Sequence, residues 1–412
     1  MLHDGECRPS VYEASEDPLV TFQSNISFTL RTLEDSRALA SQIKDFPWTF
    51  WPECFSNENI TEPYCVFTDQ TFASGRGIFI VGEKDLTYSM LEKPAFQNPS
   101  TLSQMNHYSN PPFTQHDFPG KGRGLIANKT LHRGDQIFAS TPILISDLDA
   151  YDLSTPDRLA LLHHGLATLP PSSQILFWQL MGHTDDDPID DRINTNNFEV
   201  TINGISHSAL FPEIAMMNHD CRPNAAYFWD EESMTQYVHA IRTIQPGEEI
   251  TITYIDNEKN RAARLRKLKW NWGFECGCSA CTAHPALTRE SDARLLQIEG
   301  LGRVLDDWTV GSSATPEVAE LLVSLVVQER LDASLATAYK HAAEVYNSFG
   351  MRWEAIRYAR LSAEFSMLDK GFGDVDVGQM RKMAVSPELS WSWKKRVGGK
   401  AGCGCGGGHT HS

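Results

Sequence analysis

Three short stretches contain residue types that do chemistry. NHDCRPNAAYFW (Asn218–Trp229) packs Asn, His, Cys and a Pro-Asn pair into seven residues, an expensive composition for a loop that only connects. PGEEITITYID (Pro246–Asp256) is a turn, two carboxylates and a β-rich run ending in Tyr254. WGFECGCSAC (Trp272–Cys281) is a C-x-C-x-x-C cluster, in which Cys276, Cys278 and Cys281 offer three thiolates. That is one ligand short of a tetrahedral zinc site, and Cys221 is the candidate for the fourth. Glu248 and Glu249 resemble an acid/base pair, but neighbouring strand residues point to opposite faces, which argues against a hydrolase.

A fourth feature occurs twice. TFASGRGIFIV (Thr71–Val81) and FPGKGRGLIANKTLHRGD (Phe118–Asp135) both set Gly-Arg-Gly between an aromatic residue and an apolar run. Gly-rich turns between strands let backbone approach a cofactor. The second copy runs into a strand-turn-strand pattern and then the other motifs, so it is the cofactor-loop candidate. The first leads into VGEKDLTY and is read as an ordinary β-turn, with a decayed echo of the same element as the alternative.

Several elements must position these residues. GLIANKTL, DQIFAST and PILISDL have the alternation of short strands, as do FEVTING, ISHSALF, AAYFWD, QYVHAIRTI and EEITITYI between Phe198 and Tyr254. Leu159–Gly182 has a helical pattern broken at LPPSS, and HTDDDPIDD reads as an acidic loop. Lys259–Trp270 is a basic helix with a solvated face. Beyond Cys281 the chain is helical, and 336–365 resembles a tetratricopeptide helix pair. A helix is expected around Leu33–Ile43, Lys93–Gly120 reads as a Pro/Asn/Ser-rich linker, and the Gly-rich end with its two Cys and two His reads as a flexible tail.

At 412 residues, 41% apolar and 22% charged, the composition is that of a soluble globular protein of several domains. No apolar run reaches the roughly 18–20 residues that cross a bilayer, and MLHDGECRPS lacks the pattern of a secretory signal. The sequons at Asn25, Asn59 and Asn128 are therefore given no glycosylation role. A formal charge of −17 opposes non-specific nucleic-acid binding; it is read first as solubility, and it also suits a basic protein partner. Nine cysteines, with none between Cys65 and Cys221, suggest metal ligation in a reducing compartment rather than a disulfide framework.

Together, GKGRGL, the complete N-H-x-C-x-P-N at Asn218–Asn224, G-E-E-I-x-x-x-Y at Gly247–Tyr254 and the following Cys cluster resemble the SET-domain protein-lysine methyltransferases. The resemblance spans about Gly120 to Cys281. The helical insert and helical C-terminal region are most similar to the SMYD branch and related fungal proteins. The Cys/His-rich MYND finger of that branch is missing, and with it recruitment of partners through the finger.

The resemblance implies a mixed α+β SET fold of several small sheets with a pseudoknot. The expected division is an N-terminal region and linker (1–117), a SET domain (118–257, helical insert about 150–195), a zinc-bound post-SET segment (258–284), a tetratricopeptide-like helical region (285–372) and a largely disordered tail (373–412). It further implies S-adenosylmethionine as methyl donor and a structural zinc on Cys221, Cys276, Cys278 and Cys281. The implied cofactor residues are Lys121, Gly122, Arg123, Gly124, Asn218, His219, Phe274 and, through an N-x-F element, Asn197 with Phe198. Tyr254 matches the active-site tyrosine, and Tyr227 and Phe228 are candidates for the lysine channel. The expected partner is a protein substrate, histone or other, met inside the cell in nucleus or cytoplasm by a monomer that uses neither membrane nor sequence-specific nucleic-acid binding. The alternative is an inactive SET scaffold that binds partners through its helical region.

Overall fold

The computed structural model describes residues 31–58 and 60–397. Asn25, Asn59, Cys7 and the Cys/His-containing tail from residue 398 lie outside them. The chain opens with α1 (Leu33–Ser41), capped by the Thr32 side chain, followed by β1 (Glu53–Phe55) and β2 (Tyr64–Asp69). The short turn α2 (Phe72–Gly75) joins β2 to β3 (Ile78–Glu83). Two more short helices, α3 (Lys84–Met90) and α4 (Pro94–Gln97), lead to β4 (Phe113–Phe118), β5 (Gly122–Ala127), β6 (Gln136–Ser140) and β7 (Leu144–Asp147).

Two parts of the N-terminal reading need correction. The stretch 93–120 is not an open linker, because β4 pairs along its whole length with β5, from Phe113 opposite Ala127 to Phe118 opposite Gly122. Nor are residues 64–83 a separate region: β3 runs parallel to β7, with Ile80 beside Ile145. Both pairings are long-range, and local composition does not carry them. Cys54 and Cys65 lie directly opposite one another in the β1–β2 register and form a disulfide, where free thiols were expected.

The helical insert comprises α5 (Thr155–Thr168), α6 (Pro171–Trp178) and α7 (Pro188–Asn196). Ser154 caps α5, and Pro170-Pro171 separates it from α6. The stretch read as an acidic loop starts a helix, because Asp187 accepts hydrogen bonds from the Ile189 and Asp190 amides and Pro188 occupies the first turn. Next come β8 (Asn197–Ile202), β9 (Ile205–Leu210), β10 (Asn218–His219), β11 (Ala225–Asp230), β12 (Thr235–Ala240) and β13 (Glu249–Ile252).

The strands form three sheets, in the orders β1-β2-β3-β7-β9-β8, β10-β13-β5-β4 and β11-β12-β6. A single core of buried aliphatic and aromatic side chains, including Phe67, Leu125, Phe138, Phe211 and Ile250, runs between them. The architecture is thus a mixed α+β fold of several small sheets.

The remainder is helical: α8 (Arg261–Trp272), α9 (Pro285–Asp306), α10 (Pro316–Gln328), α11 (Leu335–Ser348), α12 (Arg352–Asp369) and α13 (Val375–Val385). The expected pair at 336–365 is α11 with α12, packed through Ala342, Ala343, Tyr346, Ala355, Tyr358 and Ala359. The tail expected from 373 is ordered to residue 397. Met380 and Met383 enter the helical core, the Asn347 side-chain amide donates to Ser392 Oγ (2.8 Å), and the Asn347 backbone carbonyl accepts from the Lys394 amide (3.0 Å). Apolar residues spaced among charges gave that segment too polar an appearance.

A buried ion network fixes the helices to the sheets. Arg222, next to Cys221, donates to the Cys221 carbonyl (2.8 Å) and to Glu329 Oε2 at the end of α10 (2.8 Å). Glu329 also accepts from Ser291 (2.6 Å) and Arg294 (2.5 Å) of α9. Burial pushes the Glu329 carboxyl upward, but the hydrogen bonds from Ser291, Arg294 and Arg222 outweigh it and hold its pKa below the ordinary value. Removing one partner strands a buried charge, so Glu329→Ala is expected to cost about 3–5 kcal/mol of unfolding free energy. Because the folded pKa is depressed, Glu329 contributes its stability above the unfolded value of about 4.3, and that contribution fades as pH falls below it. Chemical denaturation of wild type and variant across that range checks both; a gap under about 1 kcal/mol at neutral pH would show the network to be incidental.

Candidate functional site

The turn between β4 and β5 opens the site. Gly120 and Gly122 both adopt positive φ (+75°), which lets the hairpin reverse and present Lys121 and Arg123 to one side. Gly124 is needed for a different reason: a Cβ there would lie 2.4 Å from Asn218 Nδ2 and 2.8 Å from the Phe118 ring. Beside this turn is a cavity of about 240 Å³. Its walls are Gly120, Lys121 and Arg123 from the hairpin, Gln179–His183 after α6, Thr195 and Asn196 at the end of α7, and Ala215 and Met216 before β10. Asn218, His219 and Tyr254 line one side, while Trp272, Phe274 and the Cys276–Cys278 backbone close another.

Most residues singled out from sequence therefore converge: Lys121, Arg123, Asn218, His219, Tyr254 and Phe274 all line the cavity. Gly122 and Gly124 do not line it but allow its wall to form. Asn197 does not line the cavity. Its side-chain amide donates to the Ile193 and Asn194 carbonyls, whereas Asn196, one residue earlier, lines the cavity. Asn196 stands two residues before Phe198, so the N-x-F spacing itself could have singled it out. Phe228 does not line the cavity either. It points away from Tyr227, stacks on Tyr237 (5.1 Å) and His239 (5.7 Å) and meets Phe372 edge-on (5.1 Å), as alternation along β11 requires. Tyr227 faces Phe198 edge-on at 5.2 Å, on the Tyr254 side.

Polar bonds hold this lining in place. Glu249 accepts from Lys121 Nζ (2.8 Å) and Asn218 Nδ2 (2.9 Å), so one carboxylate aligns the hairpin and β10. The neighbouring Glu248 pairs instead with Arg242 (2.6 Å). Arg123 donates to the Gln179 carbonyl, and Trp272 Nε1 to the Thr195 carbonyl (3.1 Å), joining opposite walls.

His219 Nδ1 accepts from the Tyr254 amide (3.1 Å), so the neutral ring carries its proton on Nε2, 3.4 Å from Cys221 Sγ. Burial lowers the His219 pKa to about 4, which keeps it neutral. Tyr254 Oη donates to the Met217 carbonyl (2.7 Å), and its ring lies 5.3 Å from Trp272 and 5.4 Å from His219. Burial, then the charge of Glu249 and the proximity of Tyr227, raises the phenol pKa well above its ordinary value.

Below the cavity Cys221, Cys276, Cys278 and Cys281 meet, all buried and unoxidised, with their sulfurs within 4.8 Å of one another. A Zn–S bond of about 2.3 Å in a regular tetrahedron sets sulfurs about 3.8 Å apart, so the cluster is compatible with zinc. Four thiolates and a divalent ion carry net negative charge. Arg264, 2% exposed, lies against Cys221 and Cys281; burial disfavours its charge, but these sulfurs outweigh that and raise its pKa. It is the member of the basic α8 that a solvated-face reading misses. The close packing at Gly124 generates a direct test. Gly124→Ala is expected to displace Asn218 and cost about 1–3 kcal/mol in chemical denaturation; an unchanged midpoint would contradict the packing described.

The SET-domain family model matches residues 122–255. The histone-lysine N-methyltransferase set5 of Schizosaccharomyces pombe is 31% identical over 204 residues, 49% of this chain and 60% of that protein. The N-lysine methyltransferase SMYD2 of Homo sapiens is 33% identical over 112 residues, 27% of this chain and 24% of that one. The chain thus spans under two thirds of either relative's length. The solved structure of the Neurospora SET domain protein DIM-5, a histone lysine methyltransferase, aligns with 36% of this chain and 53% of its own at 16% identity and a TM-score of 0.24. With the motifs around one cavity and the match over 122–255, the chain carries a SET domain and is related to SET-domain lysine methyltransferases, SMYD2 among them.

Proposed function

We propose that this protein is a protein-lysine N-methyltransferase that takes its methyl group from S-adenosylmethionine. One observation carries the reading: side chains from three separate motifs, Lys121 and Arg123, Asn218 and His219, and Tyr254, line one cavity together with Phe274. The lining fits the donor's chemistry. Phe274 and Trp272 offer faces to an adenine ring. Asn196, Asn218 and backbone at Gly120 and Cys276–Cys278 offer hydrogen bonds to the ribose and amino-acid ends. When bound, the donor supplies an electrophilic sulfonium methyl.

This chain's residues then align and desolvate. Methyl transfer to an amine is an in-line displacement, for which orientation and a dry channel contribute most. The raised pKa of Tyr254 keeps the phenol protonated at neutral pH, so it does not act as a base. With its proton given to the Met217 carbonyl, its oxygen keeps lone pairs free to orient the amine. Tyr227 and Phe198 form an aromatic flank on that side, which favours the neutral, nucleophilic form of lysine. Cys221, Cys276, Cys278 and Cys281 would hold one structural zinc away from the reacting atoms. Neutral His219 bridges the cluster and the Tyr254 backbone.

The substrate is read as a lysine-bearing protein segment. The acidic charge of the chain suits a basic one, and one relative is named as a histone-lysine methyltransferase. An intracellular monomer, nuclear or cytoplasmic, is the accompanying reading, and no helix among the described residues is long and apolar enough to cross a membrane. The scaffold alternative gains no support from a cavity that retains Asn218 and Tyr254. Labelled S-adenosylmethionine incubated with histones and a panel of basic proteins should transfer label to lysine. Tyr254→Phe should slow transfer by roughly 10²-fold with little change in donor affinity. A wild-type protein that binds the donor and labels no protein would refute the proposal.

A further inference from the structure

The first Gly-Arg-Gly, Gly75–Gly77, lies outside the cavity, yet it does more than end a hairpin. Arg76 makes two parallel bonds to Glu213, Nη1 to Oε1 and Nη2 to Oε2, each 2.7 Å, with the side chains only 8% and 9% exposed. The Arg76 carbonyl accepts from Ser173 Oγ of α6 at 2.5 Å. Gly77 has a positive φ (+76°), and a Cβ on it would lie 2.5 Å from Pro170 Cδ, just before α6. The same residue therefore touches two segments that approach the cavity from different parts of the chain.

Both segments become cavity wall within a few residues. Glu213 precedes the turn Ile214–Met216, which brings Ala215 and Met216 to the lining, and then Met217, whose carbonyl holds the Tyr254 hydroxyl. Ser173 belongs to the helix whose end runs into Gln179–Gly182, also in the lining. Neither Arg76, Glu213 nor Ser173 reaches the cavity.

A desolvated ion pair contributes little net stability, and apolar residues of similar size often replace one without loss. The Arg76 Nε is moreover buried with no hydrogen-bond partner, a further cost. What a planar two-point bond does provide is fixed geometry.

We propose that Arg76 is a positioning residue for the donor cavity. Its guanidinium sets the Ala215–Met217 wall and the Tyr254 anchor, while its carbonyl sets the α6 wall. This inference rests on the donor-site reading above.

The test separates fold from site. The double variant Arg76→Met/Glu213→Met removes both buried charges together, and Arg76→Lys keeps the charge but loses the fork. Lys93→Met breaks another pairing, of a buried Lys with the more exposed Glu231 and Glu232, and serves as control. Thermal unfolding and calorimetric binding of S-adenosylmethionine are measured on each. The double variant should melt near the wild-type temperature yet bind the donor on the order of tenfold more weakly, and Arg76→Lys should also bind more weakly. Lys93→Met should keep wild-type affinity whatever its melting temperature. A double variant that is folded and binds like wild type overturns the inference alone. A wild-type protein that fails to bind the donor overturns the donor-site reading and this inference with it.

Discussion

The meeting of Cys221 with Cys276, Cys278 and Cys281 is the constraint on which the site depends. Cys221 and Cys281 are 60 residues apart in sequence, yet their sulfurs lie 3.5 Å apart. That closure draws the segment after α8 across the end of β10. His219, two residues before Cys221, reaches the sulfur with one nitrogen and the Tyr254 backbone with the other. Trp272 and Phe274, just before Cys276, become the aromatic wall. Without the closure, residues 274–278 would lose their anchor beside Asn218 and Tyr254, and the cavity would lose much of one side.

Around this closure the chain places charged groups that join elements distant in sequence. Glu249 joins the β4–β5 turn to β10, Arg222 and Glu329 join the cysteine loop to α9 and α10, and Arg76 with Glu213 joins the first hairpin to the turn before β10. Such pairs are poor sources of net stability but good sources of geometry. A cavity assembled from segments spread between residues 120 and 278 requires geometry of that kind, since no single element of the fold contains it.

Much of the site was legible because its chemistry is local. Asn218, His219 and Cys221 lie within four residues, Tyr254 follows β13 by two, and Cys276, Cys278 and Cys281 share one short segment, so spacing grouped them. The remaining parts depend on contacts that spacing does not record. The role of Glu249 depends on β13 lying between β5 and β10. The β1–β3 hairpin region looked unconnected because its partner, β7, lies over 60 residues downstream, and a larger separation, 137 residues from Arg76 to Glu213, concealed what Arg76 does. Phe228 is different: alternation along β11 already placed it opposite Tyr227, and the sequence reading did not apply that rule.

The most direct test is donor binding before and after metal removal. Metal analysis of the purified protein should find about one zinc per chain, the number that four thiolates saturate. Calorimetric titration with S-adenosylmethionine should then show binding that disappears when the zinc is stripped and returns when it is restored. Undiminished donor affinity in metal-free protein would contradict the claim that the cysteine closure builds the site.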